Sequence, residues 1–437
     1  MRLKHSGHAA SAASFTLLFA TFAAAQQTTP HLTLQQAEQI ALASHPQVQA
    51  ARNEVAYANQ LITETRSAYF PTLAADLTGS QASHDARIGA GFLSDSALFN
   101  RYGNGFSVNQ LITDSGRTNN LVASSRLNAQ AGAQNLEATR YDVLLAVNRA
   151  YFDVLRAQAT VRVASETIAE RQVLDKQVTT LAENNLRSQL DVSFADVNVS
   201  EARLLLIRAQ NSLDQAWAEL ARALGADQVV RYELDEVPMP AAPPSAPDDL
   251  VTQAIAGRPE LASLRASRDS AYKFAEAEKD LKRPIVSAVA VGGYIPYIEQ
   301  ISSTRIPGVY EGAAVNVNIP VFNGRLFTAR EEAARQRALE SDQRLRDEQQ
   351  RLTRDVRVAW ADAATAYQRI DVTAQFMRQA ALALTLAQGR YDLGLSSIVE
   401  LAQAQLNQTQ AEIENVTAKY DYQTRYAVLQ YAIGQLR

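Results

Sequence analysis

Proline is absent from residues 72 to 237 and again from 321 to 437. Proline interrupts helices, so its absence over such lengths permits helices far longer than the usual three to four turns. Residues 117–182 hold one glycine, Gly132, and at about 1.5 Å per residue would extend roughly 100 Å as one helix. Val147, Val154, Val161 and Ile168 fall seven apart in this stretch. Beyond a break at Asn184–Asn185 the spacing is kept by Val192, Val199, Leu206, Leu213 and Leu220, with a parallel column of Ala195, Ala202, Ala209, Ala216 and Ala223. A strict seven-residue repeat predicts a left-handed coiled coil, and the alanine column lets two backbones approach closely. The second proline-free stretch repeats this more loosely, with Ala404, Ala411 and Ala418 in the matching column.

The two stretches belong to two copies of one unit. "SHPQVQAAR" (44–52) resembles "GRPELASLR" (257–265), and Pro46 and Pro71 each lie 213 positions before Pro259 and Pro284. "NLRSQLD" (185–191) lies opposite "GLSSIVE" (394–400) at an offset of 209, so the register drifts by four residues. Each unit reads as helix, strand, strand, long helical hairpin, an internal duplication. Between them "VPMPAAPPSAPDD" (237–249) has the composition of an extended linker. The expected organisation is a first repeat over 26–225, a Pro-rich linker over 226–249 and a second repeat over 250–437.

Each unit carries two candidate strands, at about 72–82 and 102–113, then 285–297 and 308–322. Leu73, Ala75, Leu77 and Gly79 alternate with Ala74, Asp76, Thr78 and Ser80; Val315, Val317, Ile319 and Val321 alternate with Asn316, Asn318 and Pro320. Residues 285–297 are apolar on both faces. Such lengths, with aromatics at Phe70, Tyr102, Tyr294, Tyr297, Tyr310 and Phe322, fit strands crossing an outer membrane, joined by loops at 83–100 and 297–307. On periodicity alone a small soluble sheet would read the same way.

Arg2 and Lys4 before "AASFTLLFATFAAA" (12–25), with Ala23 and Ala25 as small cleavage-site residues, give residues 1–25 the pattern of a secretory signal peptide. The remaining chain would hold 40 basic and 46 acidic residues, and that balance offers no basic footprint for nucleic acid. There is no cysteine for a disulfide, a thiolate metal site or a lipid anchor. His31, His45 and His84 are the histidines past residue 25, no HExxH, GxSxG or phosphate-loop pattern occurs, and Met239 and Met377 are too few for a soft-metal path. Neither an enzyme nor a bound cofactor is expected.

The signal peptide, the duplicated helix–strand–strand–hairpin unit, the strand-ending "IPVFNGR" (319–325) and the turn "YDLGLSS" (391–397) together resemble the TolC-like outer-membrane efflux and secretion proteins over essentially all of 32–437. The resemblance implies an α+β, mostly α fold. In it, three chains would close a twelve-stranded outer-membrane barrel, continued by a periplasmic helical barrel. It implies an exit channel fed by an inner-membrane pump of RND, ABC or MFS type through a periplasmic adaptor. Gly324 would turn the chain at the membrane interface. A periplasmic structural or adaptor coiled coil is the alternative, but an adaptor would carry one hairpin flanked by β domains.

By the same resemblance, the turns should form a tip that meets the adaptor through Asn185, Leu186, Arg187, Ser188, Gly394, Leu395 and Ser397. Asn185 must replace the glycine common at the first turn. A gate is implied nearby, with Asp191 accepting a hydrogen bond from Tyr391 and Glu400 ringing the narrowest point. Ser396 stands where the family places a basic tether, and Gln403 where it places a second acid, so fewer bonds and a single acidic layer are expected.

Overall fold

The computed structural model describes residues 30–81, 87–88, 96–97, 101–298 and 308–436. The proposed signal peptide and most of both inter-strand loops lie outside these residues. In chain order the elements are β1 (His31–Leu32), α1 (Leu34–Ser44), α2 (Pro46–Arg66), β2 (Thr72–Ser80), β3 (Arg87–Ile88), β4 (Ser96–Ala97), β5 (Arg101–Thr113), α3 (Arg117–Glu183) and α4 (Gln189–Leu224). There follow β6 (Glu233–Leu234), α5 (Asp248–Gly257), α6 (Pro259–Asp280), β7 (Ile285–Ile298), β8 (Val309–Asn318), α7 (Leu326–Asp392) and α8 (Ile398–Ala432).

The duplication is visible element by element, with one correction. The helix expected before each strand pair is two helices, broken at His45–Pro46 and Arg258–Pro259. The residue before proline is driven out of the helical region, and the proline opens the next helix at its first position. The α3 and α7 helices are each 67 residues without interruption, roughly 100 Å long. In α3 a column at intervals of seven, Val143, Ala150, Ala157, Ala164, Arg171 and Val178, is buried. Ala338, Leu345, Leu352, Ala359, Ala366, Thr373, Ala380 and Ala387 form an equally regular column in α7, longer than the sequence suggests. On α4 the alanine column packs inward, with Ala195, Ala202, Ala209 and Ala223 at 4% exposure or less, whereas Val192, Leu206 and Leu213 are not fully buried. Small side chains hold the closest approach and larger ones flank it.

Strands β2, β5, β7 and β8 form one antiparallel sheet in that order, leaving β2 and β8 as open edges. Register places Asp76, Gly105, Gly293 and Tyr310 in one cross-strand row, with Ser107 and Asn109 on the same face. Tyr310 fills that row. A Cβ at Gly293 would come within 2.6 Å of its ring, so both strands must be glycine there for the ring to lie flat. The other face carries Leu73, Leu77, Phe106, Val108, Tyr294, Val309, Val315 and Val317, with Glu311 near the loop end. No helix among the described residues is long and apolar enough to cross a membrane.

The last strand is shorter than its alternation suggests. Pairing stops at Asn318, and Val321 and Phe322 are 91% and 88% exposed. Pro320 has no N–H to give to a ladder. The chain then turns through two left-handed residues, Gly324 (φ 62°) and Arg325 (φ 69°), matched in the first unit by Ser115 (φ 60°) and Gly116 (φ 103°).

The expected linker, residues 226–249, lies against the helices. Strand β6 pairs in parallel with β1, and the Tyr151 hydroxyl lies 3.0 and 2.9 Å from the carbonyl oxygens of Leu32 and Asp235. Burial pushes the Tyr151 hydroxyl up to about 12, so it remains a donor at any ordinary pH. Further along, Gln423 Nε2 donates to Val237 O at 2.7 Å, Tyr422 to Ala241, and Trp360 Nε1 to Pro244 O at 2.7 Å. The stretch is strapped to α3, α7 and α8 through its own carbonyls, which suits a proline-rich segment with few N–H groups to satisfy.

Candidate functional site at the hairpin tip

Both hairpins end in the same backbone device. In the first, Leu186 N donates to Leu181 O (2.9 Å) and Asn185 N to Ala182 O (2.9 Å), with Asn185 at φ 58°. In the second, Leu395 N donates to Arg390 O (2.8 Å) and Gly394 N to Tyr391 O (2.9 Å), with Gly394 at φ 71°. These paired bonds are a Schellman ending, which requires one left-handed residue. Asparagine tolerates that conformation better than other non-glycine residues, so Asn185 stands in for the glycine.

The caps that restart the helices differ. Ser188 Oγ accepts from Asp191 N (3.2 Å), and Asp191 Oδ2 accepts from Ser188 N (3.1 Å) and Oγ (3.0 Å), a reciprocal capping box. Ser397 Oγ accepts from Glu400 N (3.4 Å), but the Glu400 carboxylate turns away and pairs with Arg390 Nε at 3.0 Å.

Behind the turns, Leu174, Val178, Ala195, Ala387, Tyr391, Ile398 and Leu401 form a small core shared by all four long helices. Tyr391 is 1% exposed, and its hydroxyl has no hydrogen-bond partner among the described residues. Burial raises its pKa, the Arg187 charge lowers it, and Asp191 and Asp392 raise it. The expected Tyr391–Asp191 hydrogen bond is therefore absent. The Asp191 carboxylate is engaged by the Ser188 cap, which a rigid helix start holds in place. Instead Arg187 crosses from the first turn to the second: its Nη2 donates to Tyr391 O at 2.6 Å and its guanidinium lies 4.1 Å from the ring centroid. Such stacking adds a cation–π attraction to a charged hydrogen bond.

The other expected residues divide into those at the surface and those that pair elsewhere. Leu186, Leu393 and Leu395 are exposed at the extreme end, beside exposed Asn185, Ser188 and Ser397. Ser396 has a buried Oγ without a partner among the described residues, and exposed Gln403 donates to Asn407 Oδ1 at 3.0 Å. Sequence reasoning gives Arg187 a place at the tip and misses its hold on Tyr391. The signal for more is its charge: it is the one basic residue in "NNLRSQLD", in a chain lacking a basic residue at 396.

The model of a family described as outer membrane efflux protein matches residues 37–226 and 250–435. The chain belongs to this family. It is 24% identical to Protein CyaE of Bordetella pertussis over 418 residues, 93% of this chain and 84% of that protein. It is 23% identical to Outer membrane protein TolC of Salmonella enteritidis over 423 residues, 92% and 82% of the two chains. Among solved structures, the outer membrane protein VceC of Vibrio cholerae shares the fold at a TM-score of 0.78 and 17% identity, covering 92% of this chain and 96% of that one. The family's channels are passive conduits, which suits a tip built of caps, turns and leucines.

Proposed function

We propose that this chain is the outer-membrane exit channel of a tripartite export system, conducting drugs, small toxic compounds or a secreted polypeptide from a pump–adaptor complex to the exterior. The observation that carries the proposal is the open four-stranded sheet, with Asp76, Ser107, Asn109 and Tyr310 on one face and a mainly apolar opposite face, whose strands run into two helical hairpins. In lipid, each unpaired edge group costs several kcal/mol. Three copies joining β2 to β8 would close about twelve strands, an even number within the range of such barrels. Exposed apolar residues at intervals of seven on α4 (Leu190, Val197, Leu204) and fourteen apart on α7 (Val372, Leu386) support the same assembly, since they leave an apolar surface for a neighbouring copy.

In this reading the helical hairpins lie in the periplasm, the tip leucines dock the adaptor, and an inner-membrane pump of RND, ABC or MFS type supplies the cargo indirectly. The gate is closed by Arg187 clasping Tyr391, while Glu400 and Arg390 lie at the entrance. Fractionation tests the proposal: heat-resistant trimers in the outer-membrane fraction that conduct ions in planar bilayers are expected. A soluble periplasmic product without conductance would refute it and favour a structural coiled coil.

A further inference from the structure

Arg171 stands in the buried α3 column where its neighbours at intervals of seven are Ala164 and Val178. It is 7% exposed, and among the described residues no carboxylate lies within ion-pair distance and no acceptor within hydrogen-bond distance. A polar residue in such a column can set register, but only by bonding a polar partner across the seam; Arg171 has none. Its guanidinium nitrogens have no protein partner among the described residues and are not sealed from solvent, so the charged head reaches the space beside the seam rather than packing into it.

What Arg171 faces is a cavity of about 320 Å³ between α3, α4 and α8. Its floor is the contact of Thr167 with Thr409, whose hydroxyls lie 3.5 Å apart and both donate to carbonyls of their own helices. Its walls are apolar, from Ala202, Leu205, Leu406 and Ile413. Asn198 adds a second free donor, since its Nδ2 is buried with no partner among the described residues. Two acids border the space: Glu414, paired with Arg369 at 3.5 Å, and Glu201, which has no ion-pair partner among the described residues. Burial lowers the Arg171 pKa, while the charges of Glu170 and Glu201 raise it.

We propose that this cavity binds a small organic anion, an apolar body bearing a carboxylate or sulfonate, with Arg171 as counter-ion and Asn198 as second donor. The two unused donors face an apolar space with room for such a body, and a guanidinium presents its fork to planar oxyanions better than any other side chain. Glu201 opposes the anion at longer range, so it should limit affinity.

Calorimetry on the assembled protein in lipid nanodiscs tests this, using 1-naphthoate and the cationic 1-naphthylmethylammonium, with empty nanodiscs as partition control. Saturable naphthoate binding at one per protomer is expected, with little uptake of the ammonium. Arg171→Met should weaken naphthoate by about tenfold or more, the loss of a charged hydrogen bond, Arg171→Lys should keep part of the affinity, and Glu201→Gln should tighten it. If Arg171→Met fails to assemble, the two probes and Glu201→Gln still decide. No saturable naphthoate binding, equal uptake of the ammonium, an unchanged affinity in Arg171→Met, or weaker binding in Glu201→Gln overturns the proposal.

Discussion

The first and second hairpins end with the same backbone and different chemistry. Asn185 and Gly394 occupy the same left-handed place, Ser188 and Ser397 the same cap, Asp191 and Glu400 the same third helical position. Yet Asp191 closes a reciprocal box on its own serine, while Glu400 leaves its cap half-made and pairs with Arg390. Duplication supplied one tip twice, and the differences separate what a turn needs from what a function needs. The first turn spends its acid on rigidity and extends Arg187. The second is softer, and Tyr391 is what Arg187 holds.

The sharpest break in this symmetry is at the left-handed residues. Gly394→Val puts a β-branched side chain at φ 71°, at a cost of about 1–3 kcal/mol. Export in a drug-susceptibility assay should be lost while trimers still reach the membrane. Asn185→Gly should leave export at the parent level, because glycine takes that conformation at no steric cost. Parent-level export in Gly394→Val would count against a functional role for the second turn.

Next is the clasp between the turns. Arg187→Ala removes a charged hydrogen bond and a stacked cation, together worth about 1.5–3 kcal/mol. The open fraction in planar bilayers should rise by about tenfold or more. Tyr391→Phe should leave gating unchanged, since the hydroxyl has no partner to lose among the described residues. A larger effect of Tyr391→Phe than of Arg187→Ala would restore a hydroxyl-based tether.

What is legible in the sequence follows the range of the interactions. The left-handed turns, the serine caps and the alanine column of α4 are local, set by residues within one or two turns of each other. Arg187 meeting Tyr391 joins residues 204 apart, and no spacing rule points across that distance. Strand β8 comes out too long from its pattern for a related reason: Ile319 and Val321 continue the alternation, but a ladder needs a partner, and β7 begins at Ile285, opposite Asn318. The α7 column is hard to see in the sequence because Thr373 and two leucines interrupt its alanines, although burial ignores that change of type. Arg171 is hidden inside a column whose other members read as packing.

A smaller contrast separates the two caps. Asp191→Ala should cost about 1 kcal/mol at the start of α4 and speed hydrogen exchange there roughly fivefold. Glu400→Gln removes an exposed ion pair worth about 0–1 kcal/mol, so exchange at the start of α8 should barely move. Its effect should fall on cation preference in bilayers. Equal protection changes at both sites would mean that Glu400 also serves its cap.

The smallest predicted difference lies where each unit breaks its first helix, at His45 in one and Arg258 in the other. His45 caps α2, its Nδ1 accepting from Gln47 N at 3.2 Å, and a protonated ring could not accept that bond. Burial lowers its pKa, and the nearby Arg222 charge lowers it further. The folded state therefore binds this proton less readily than the unfolded chain, so stability is fully present above the ordinary histidine value of about 6.5 and falls as pH drops below it. The slope cannot exceed that of one proton, about 1.4 kcal/mol per pH unit. The substitution His45→Asn would keep a side-chain cap without the titration. Thermal melts of detergent-solubilised protein followed by far-ultraviolet circular dichroism should show that the variant loses less stability than the parent between roughly neutral pH and a pH about one unit below the histidine value. Arg258 makes no side-chain cap at the matching break, so the second unit has no such bond to lose. Parallel acid curves for parent and variant would assign the loss to other groups.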